Sequence, residues 1–283
     1  MIVLAFAFLV GIIIGSFLNV CIARLPAGES VVHPPSHCPR CKSAIKPYDN
    51  IPLLSYLLLR GRCRHCGLGI AWRYPGVEAL TGVLYVAVVA WLGMSWWTGA
   101  ALLFVAALVV VTFIDLDHQI IPDEISLPGI VIGFLAFTAL GPDPIDSWAA
   151  EVLGTISGAR WWQALLPFLA RAIDSLLGIL LGGGTLWLVA ALYERLRGIE
   201  GMGGGDIKLL AMIGAFLGWR AVLVTVMIGS LSGALVGSVR IWLGRAGSQV
   251  PIPFGPFLAL GALAALLFGD GLIDWYLGLM AGG

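Results

Sequence analysis

The stretch "WWTGAALLFVAALVVVTFIDLDH", residues 96–118, runs through nineteen uncharged residues before reaching Asp115, Asp117 and His118. At 1.5 Å per residue the uncharged part covers about 28 Å as a helix, close to the thickness of a bilayer's hydrocarbon core. Lipid offers backbone groups no water to bond, so a run of this length predicts a transmembrane helix. Asp115 then stands where that helix leaves the membrane.

The rest of the chain reads the same way. Of its 283 residues 59% are hydrophobic and 11% charged, and the mean hydropathy is +0.97. Soluble domains carry about 25% charged residues, so the composition is that of an integral membrane protein whose partner is the lipid bilayer. A formal charge of zero argues against nucleic acid as a partner. Eight apolar runs lie near 2–22, 76–93, 96–114, 125–141, 172–193, 207–219, 221–243 and 254–279. The expected fold is all-α: a polytopic helical membrane protein of about eight transmembrane helices. The first run lacks a basic leader region and carries Gly11, Gly15 and Ser16, a small-residue face suited to helix packing. It reads as a retained helix.

Three hydrophilic segments remain: 24–75, 142–171 and 194–206. They suggest a first helix over 1–23, a module over 24–75 and a membrane core over 76–283. With the N-terminus outside, thirteen of the sixteen Lys and Arg residues fall on the inner side, including Arg24, Arg73 and Lys208. Only Arg160, Arg171 and Arg220 fall outside, a strong positive-inside bias.

Segment 24–75 then lies on the inner side. It contains Cys38-Pro39-Arg40-Cys41 and Cys63-Arg64-His65-Cys66, two Cys-x-x-Cys pairs separated by 21 residues. This spacing matches a four-thiolate zinc site of ribbon type. A segment so short has little apolar core, and metal binding supplies folding free energy that it lacks. A pair of disulfides is disfavoured in a reducing compartment, which leaves reduced, metal-free cysteines as the alternative. His33, His37 and His65 read as loop residues beside four available thiolates, and Cys21 as a small core residue of the first helix.

By parity the helix ending at Asp115 exits on the inner side. Asp206 opens the sixth run on that same side, directly behind the glycines of "GMGGGDIKLL", residues 201–210. Two acids distant in sequence thus share one membrane edge, although basic residues alone set the topology. Helix capping accounts for Asp123 and Glu124, solvation for Asp117, and headgroup snorkelling for Lys208. Capping does not account for the glycines. Paired acids suit aspartyl proteolysis, in which two carboxyls share a proton, one activating water and the other polarising the scissile carbonyl. Gly203, Gly204 and Gly205 are expected to form an unwound hinge where an extended peptide approaches Asp206.

The motifs "GSFLNVCIARLP" (15–26), "CPRC" (38–41), "NIPLLSYLLLRGRCRHC" (50–66), "WRYPGVE" (72–78), "DLDHQIIPD" (115–123) and "GMGGGDIKLL" (201–210) occur in order over nearly the whole chain. Together they resemble the type IV prepilin peptidases, membrane aspartyl proteases of the Gly-x-Gly-Asp kind. The resemblance implies that Asp115 and Asp206 are catalytic. It implies leader cleavage from prepilins and type II secretion pseudopilins at the cytoplasmic face of the bacterial inner membrane. It also implies methylation of the new N-terminus using S-adenosylmethionine. No glycine-rich cofactor loop marks a methyl-donor site, and Glu78 reads equally as a participant or a structural acid. Segment 142–171 is longer than the family's usual outer loop. The rival readings are an ion- or proton-coupled transporter, which wants charges near the midplane, and a non-catalytic membrane assembly protein, which leaves the glycine–acid pairing unexplained.

Overall fold

The computed structural model describes residues 1–38, 40–142, 160–198, 203–243 and 253–281. Their regular secondary structure is helical, with two isolated β-bridges in the cysteine module. The α-helices are α1 (Ile2–Arg24), α2 (Leu54–Leu58), α3 (Arg73–Leu92), α4 (Trp96–His118), α5 (Asp123–Leu140), α6 (Arg160–Arg197), α7 (Gly204–Trp242) and α8 (Gly255–Ala281). Among the described residues six helices are long and apolar enough to cross a membrane, namely α1 and α3 to α7, and the described part of α8 adds a shorter apolar stretch, Gly255–Gly269.

The sixth and seventh apolar runs share α7. Gly218, at φ 77° and ψ 176°, breaks its helical path, a conformation that a side chain makes costly. The fifth run is longer than expected: α6 begins at Arg160 rather than near 172, so part of the hydrophilic segment 142–171 is helical. Its residues 143–159 lie outside the described residues.

In lipid, apolar surface gains little by leaving one apolar environment for another, so close packing holds the helices together. Small residues supply that closeness. A Cβ at Gly15 would stand 2.7 Å from Glu78 Cα, so α1 and α3 touch backbone to backbone. Gly178 of α6 meets the Gly214 carbonyl of α7 in the same manner. The interior is built on Phe104 and Leu108 of α4, Leu209, Met212 and Ile213 of α7, and Leu258 of α8, all essentially inaccessible. Phe104 and Phe216 stack at 4.7 Å between ring centroids. Cys21 packs with Leu18, Val77 and Val110, as expected of a core residue.

Two local devices set the level of the acids. Ser95 caps α4 by accepting the Thr98 amide at 3.0 Å. At the other end Gln119 turns left-handed, φ 55°, and its amide bonds the Asp115 carbonyl at 2.9 Å. The helix therefore stops one turn past Asp115, and the chain reverses through Pro122 into α5.

Candidate active site and metal centre

Asp115 lies in the last turn of α4 with 5% of its surface exposed. One carboxylate oxygen accepts the backbone amide of Gly255 at 2.8 Å, so the N-terminus of α8 points at this acid. A Cβ at position 255 would sit 2.7 Å from that same oxygen, so a side chain there would have to displace the carboxylate.

Asp206 occupies the first turn of α7, partly buried, and lies near enough to Asp115 for their charges to interact directly. Two contacts carry it there. Position 205 packs against the reversal after α4, where a Cβ would stand 2.9 Å from Ile121 Cβ. Lys208 Nζ binds both oxygens of Asp123 at 2.6 and 2.8 Å, tying the first turn of α7 to that of α5. Lys208 thus pairs with an acid rather than only snorkelling, and Asp117 pairs with Arg73 rather than being merely solvated.

The glycines differ from the expected unwound hinge. Gly203 is extended, φ −68° and ψ 139°, and is the N-cap of α7. Gly204 and Gly205 are already helical because the first turn gains its packing against Ile121 and Asp123. A Cβ on Gly203 or Gly204 would meet nothing within 4 Å, so both border open space beside the acids. Gly201 and Met202 lie outside the described residues.

The cysteine module is built twice over. In each half a residue before the first cysteine bridges a residue six beyond it: His37 with Ala44, and Arg62 with Gly69. The residue after the second cysteine is left-handed in both, Lys42 at φ 57° and Gly67 at φ 70°. Their amides bond the carbonyls of Cys38 and Cys63 at 2.9 and 3.0 Å. These tight turns bring the sulfurs of Cys38, Cys41, Cys63 and Cys66 within 4.8 Å of one another. Cys38–Cys66 and Cys41–Cys63 are separated by 3.8 and 4.0 Å. A tetrahedral zinc with bonds of about 2.3 Å requires edges of about 3.8 Å, so the set fits that ion.

Two of the thiols, Cys41 and Cys63, are also polarised for metal. Hydrogen bonding from Ser43 brings Cys41 down to about 6, and the amides of Cys66 and His65 lower Cys63. The Leu68 amide favours the Cys66 thiolate, but desolvation and the neighbouring sulfurs outweigh it and push Cys66 up to about 11. Arg64 clamps Asp49 with contacts of 2.5 to 3.1 Å, joining the second knuckle to the preceding loop, and holds that carboxyl below its ordinary range.

The sequence reading missed Gly255 and the partner of Glu78. The Gly255-Pro256 pair at the head of the last apolar run was the available signal for the first. For the second there was none: the Leu53 amide reaches Glu78 at 2.8 Å across a turn whose geometry the sequence does not announce.

The fold and sites define a polytopic helical membrane protein with two neighbouring acids at one end of its bundle and a four-cysteine centre able to hold a metal. Residues 9–92 match the bacterial peptidase A24 N-terminal domain, and residues 102–238 match the type IV leader peptidase family. The chain is 41% identical to the prepilin leader peptidase/N-methyltransferase of Aeromonas hydrophila, covering 95% of this chain and 92% of that one. Identity to the protein of the same name from Pseudomonas aeruginosa is 38%, covering 95% and 91%. For the Myxococcus xanthus protein it is 41%, covering 86% and 65%. No solved structure matches the chain. The chain belongs to the prepilin leader peptidase/N-methyltransferase family.

Proposed function

We propose that this protein removes the leader peptide of prepilins and type II secretion pseudopilins with Asp115 and Asp206, and methylates the amino group so exposed. The observation that carries the reading is the meeting of two carboxyl groups at one end of the bundle, delivered by helices far apart in sequence. Two carboxyls in such a setting share one proton. The ionised member takes a proton from the attacking water, and the protonated member donates to the scissile carbonyl. The Gly255 amide holds one oxygen of Asp115 in place, so that acid turns little during the reaction.

The open backbone at Gly203 and Gly204 suits the approach of an extended peptide. Acids at helix ends, rather than at a midplane, disfavour the transporter reading. The positive-inside bias supports an inner-membrane location with the N-terminus outside and the acids at the cytoplasmic edge. Zinc held by Cys38, Cys41, Cys63 and Cys66 has a structural role, since four thiolates leave it no open position. S-adenosylmethionine supplies the methyl group.

Purified protein incubated with a prepilin tests the reading. Mass spectrometry should find a shortened product and, with the methyl donor added, one extra methyl at its N-terminus. An uncut prepilin would overturn it.

A further inference from the structure

A cavity of about 590 Å³ lies between the cysteine module and the adjoining ends of α1 and α3. Ligand sites range over about 300–1,000 Å³, so it is large enough for a nucleoside-sized molecule. Of the charged groups on its wall that have no charged partner among the described residues, Glu29 and Lys42 are exposed, whereas Glu78 is buried and Arg24 half-buried. Glu78 is 8% exposed; it accepts the Leu53 amide at 2.8 Å and a hydrogen bond from Ser16, but pairs with no cation among the described residues. Leu53 holds a left-handed φ of 61° where it makes that bond, a conformation uncommon for a branched side chain. Among the described residues Arg24 donates only to the carbonyls of Ser30 and Pro34, at 2.8 and 2.6 Å.

Polar and aromatic groups share this wall. Asn19 donates to Tyr74 O at 3.0 Å and to Gly15 O at 3.3 Å, and its own carbonyl accepts from no donor among the described residues. Tyr56 and Tyr74 add aromatic surface. The sheltered, unpaired charges of the wall are thus one anion and one cation, and with an amide acceptor and two aromatic rings they make a set that suits a zwitterionic ligand with an aromatic base and an extra positive charge.

We infer that this cavity is the methyl-donor site, with Glu78 facing the sulfonium and Arg24 the carboxylate of S-adenosylmethionine. The assignment rests on the methyltransferase half of the proposed function. When bound, the donor supplies an electrophilic methyl carbon: the free amine attacks it, the carbon–sulfur bond breaks towards sulfur, and the new ammonium releases one proton. The chain's own contribution is to bind and orient. Arg73 links the head of α3 to α4 through Asp117, two residues past Asp115, so the cavity and the acids lie at the same end of the bundle.

The test is equilibrium binding to the full-length protein in detergent, using two probes. S-adenosylhomocysteine is neutral at sulfur, and sinefungin carries an ammonium in its place. Wild type should bind both, sinefungin more tightly. Glu78→Gln keeps an acceptor for Leu53 and should lose the preference for sinefungin. Gly69→Phe, at a lining position where a Cβ meets nothing within 4 Å, should weaken both probes at least tenfold. Metal content and thermal unfolding verify that each variant is folded.

Wild-type affinities in both folded variants would overturn the assignment. A wild type that methylates a prepilin, joined to that result, would overturn the cavity alone and leave the function standing. A wild type that cleaves a prepilin but binds neither probe would overturn the donor site together with the methyltransferase half.

Discussion

The amide of Gly255 and the carboxylate of Asp115 meet at 2.8 Å although 140 positions separate them in the chain. The contact brings the last helix to the end of the fourth and fixes an acid that its own helix would leave free to rotate. A side chain at position 255 would have to displace that carboxylate.

Gly255→Ala should therefore lower leader cleavage more than it lowers stability. The added carbon would push the Asp115 oxygen aside, and a displacement approaching 1 Å at a reacting group costs about 100-fold. Initial rates, corrected for folded protein by thermal unfolding, decide it. An unchanged rate would remove Gly255 from the site.

Asp115→Asn and Asp206→Asn should each reduce cleavage by about 10²–10⁴-fold with the protein still inserted. Asp117→Asn should keep measurable activity, because its carboxylate binds Arg73. Lys208→Met breaks a half-exposed ion pair with Asp123 and should cost no more than about 1 kcal/mol of stability. Robust cleavage by Asp206→Asn would end the two-acid assignment.

Gly205 and Gly204 should respond differently although they are neighbours. Gly205→Val would drive a branched side chain into Ile121, displacing the first turn of α7, and should sharply slow turnover. Gly204→Ala meets open space and should keep its helix. Cleavage time courses on both variants separate a packing role from a hinge. Equal losses would favour the hinge.

Metal analysis should find about one zinc per chain. The Cys38/Cys41/Cys63/Cys66→Ser variant should lose it and unfold at lower temperature, with any loss of cleavage following from instability. A metal-free wild type, prepared without chelators, would leave the sulfur cluster unexplained.

Lys42 pays a steric cost at φ 57° that Gly67 avoids at the matching place. Lys42→Gly should be neutral or stabilise the module by up to about 1 kcal/mol. Urea titration of the metal-loaded protein measures this, and a clear loss would show that the lysine side chain matters more than its backbone.

What the sequence determined by itself was whatever depends on spacing along one segment. Nineteen uncharged residues before Asp115 define a membrane span and the level of its acid, because helix rise and bilayer thickness are fixed lengths. Two Cys-x-x-Cys pairs define a four-cysteine cluster able to hold a metal, because each tight turn presents two sulfurs whatever surrounds it. Tertiary structure alone decided the contacts between distant segments. That Gly205 serves packing against Ile121, that Lys208 finds Asp123, and that Gly255 holds Asp115 all depend on which helix faces which. In lipid those choices come from close fit between apolar helices rather than from an amphipathic pattern, so hydropathy cannot announce them.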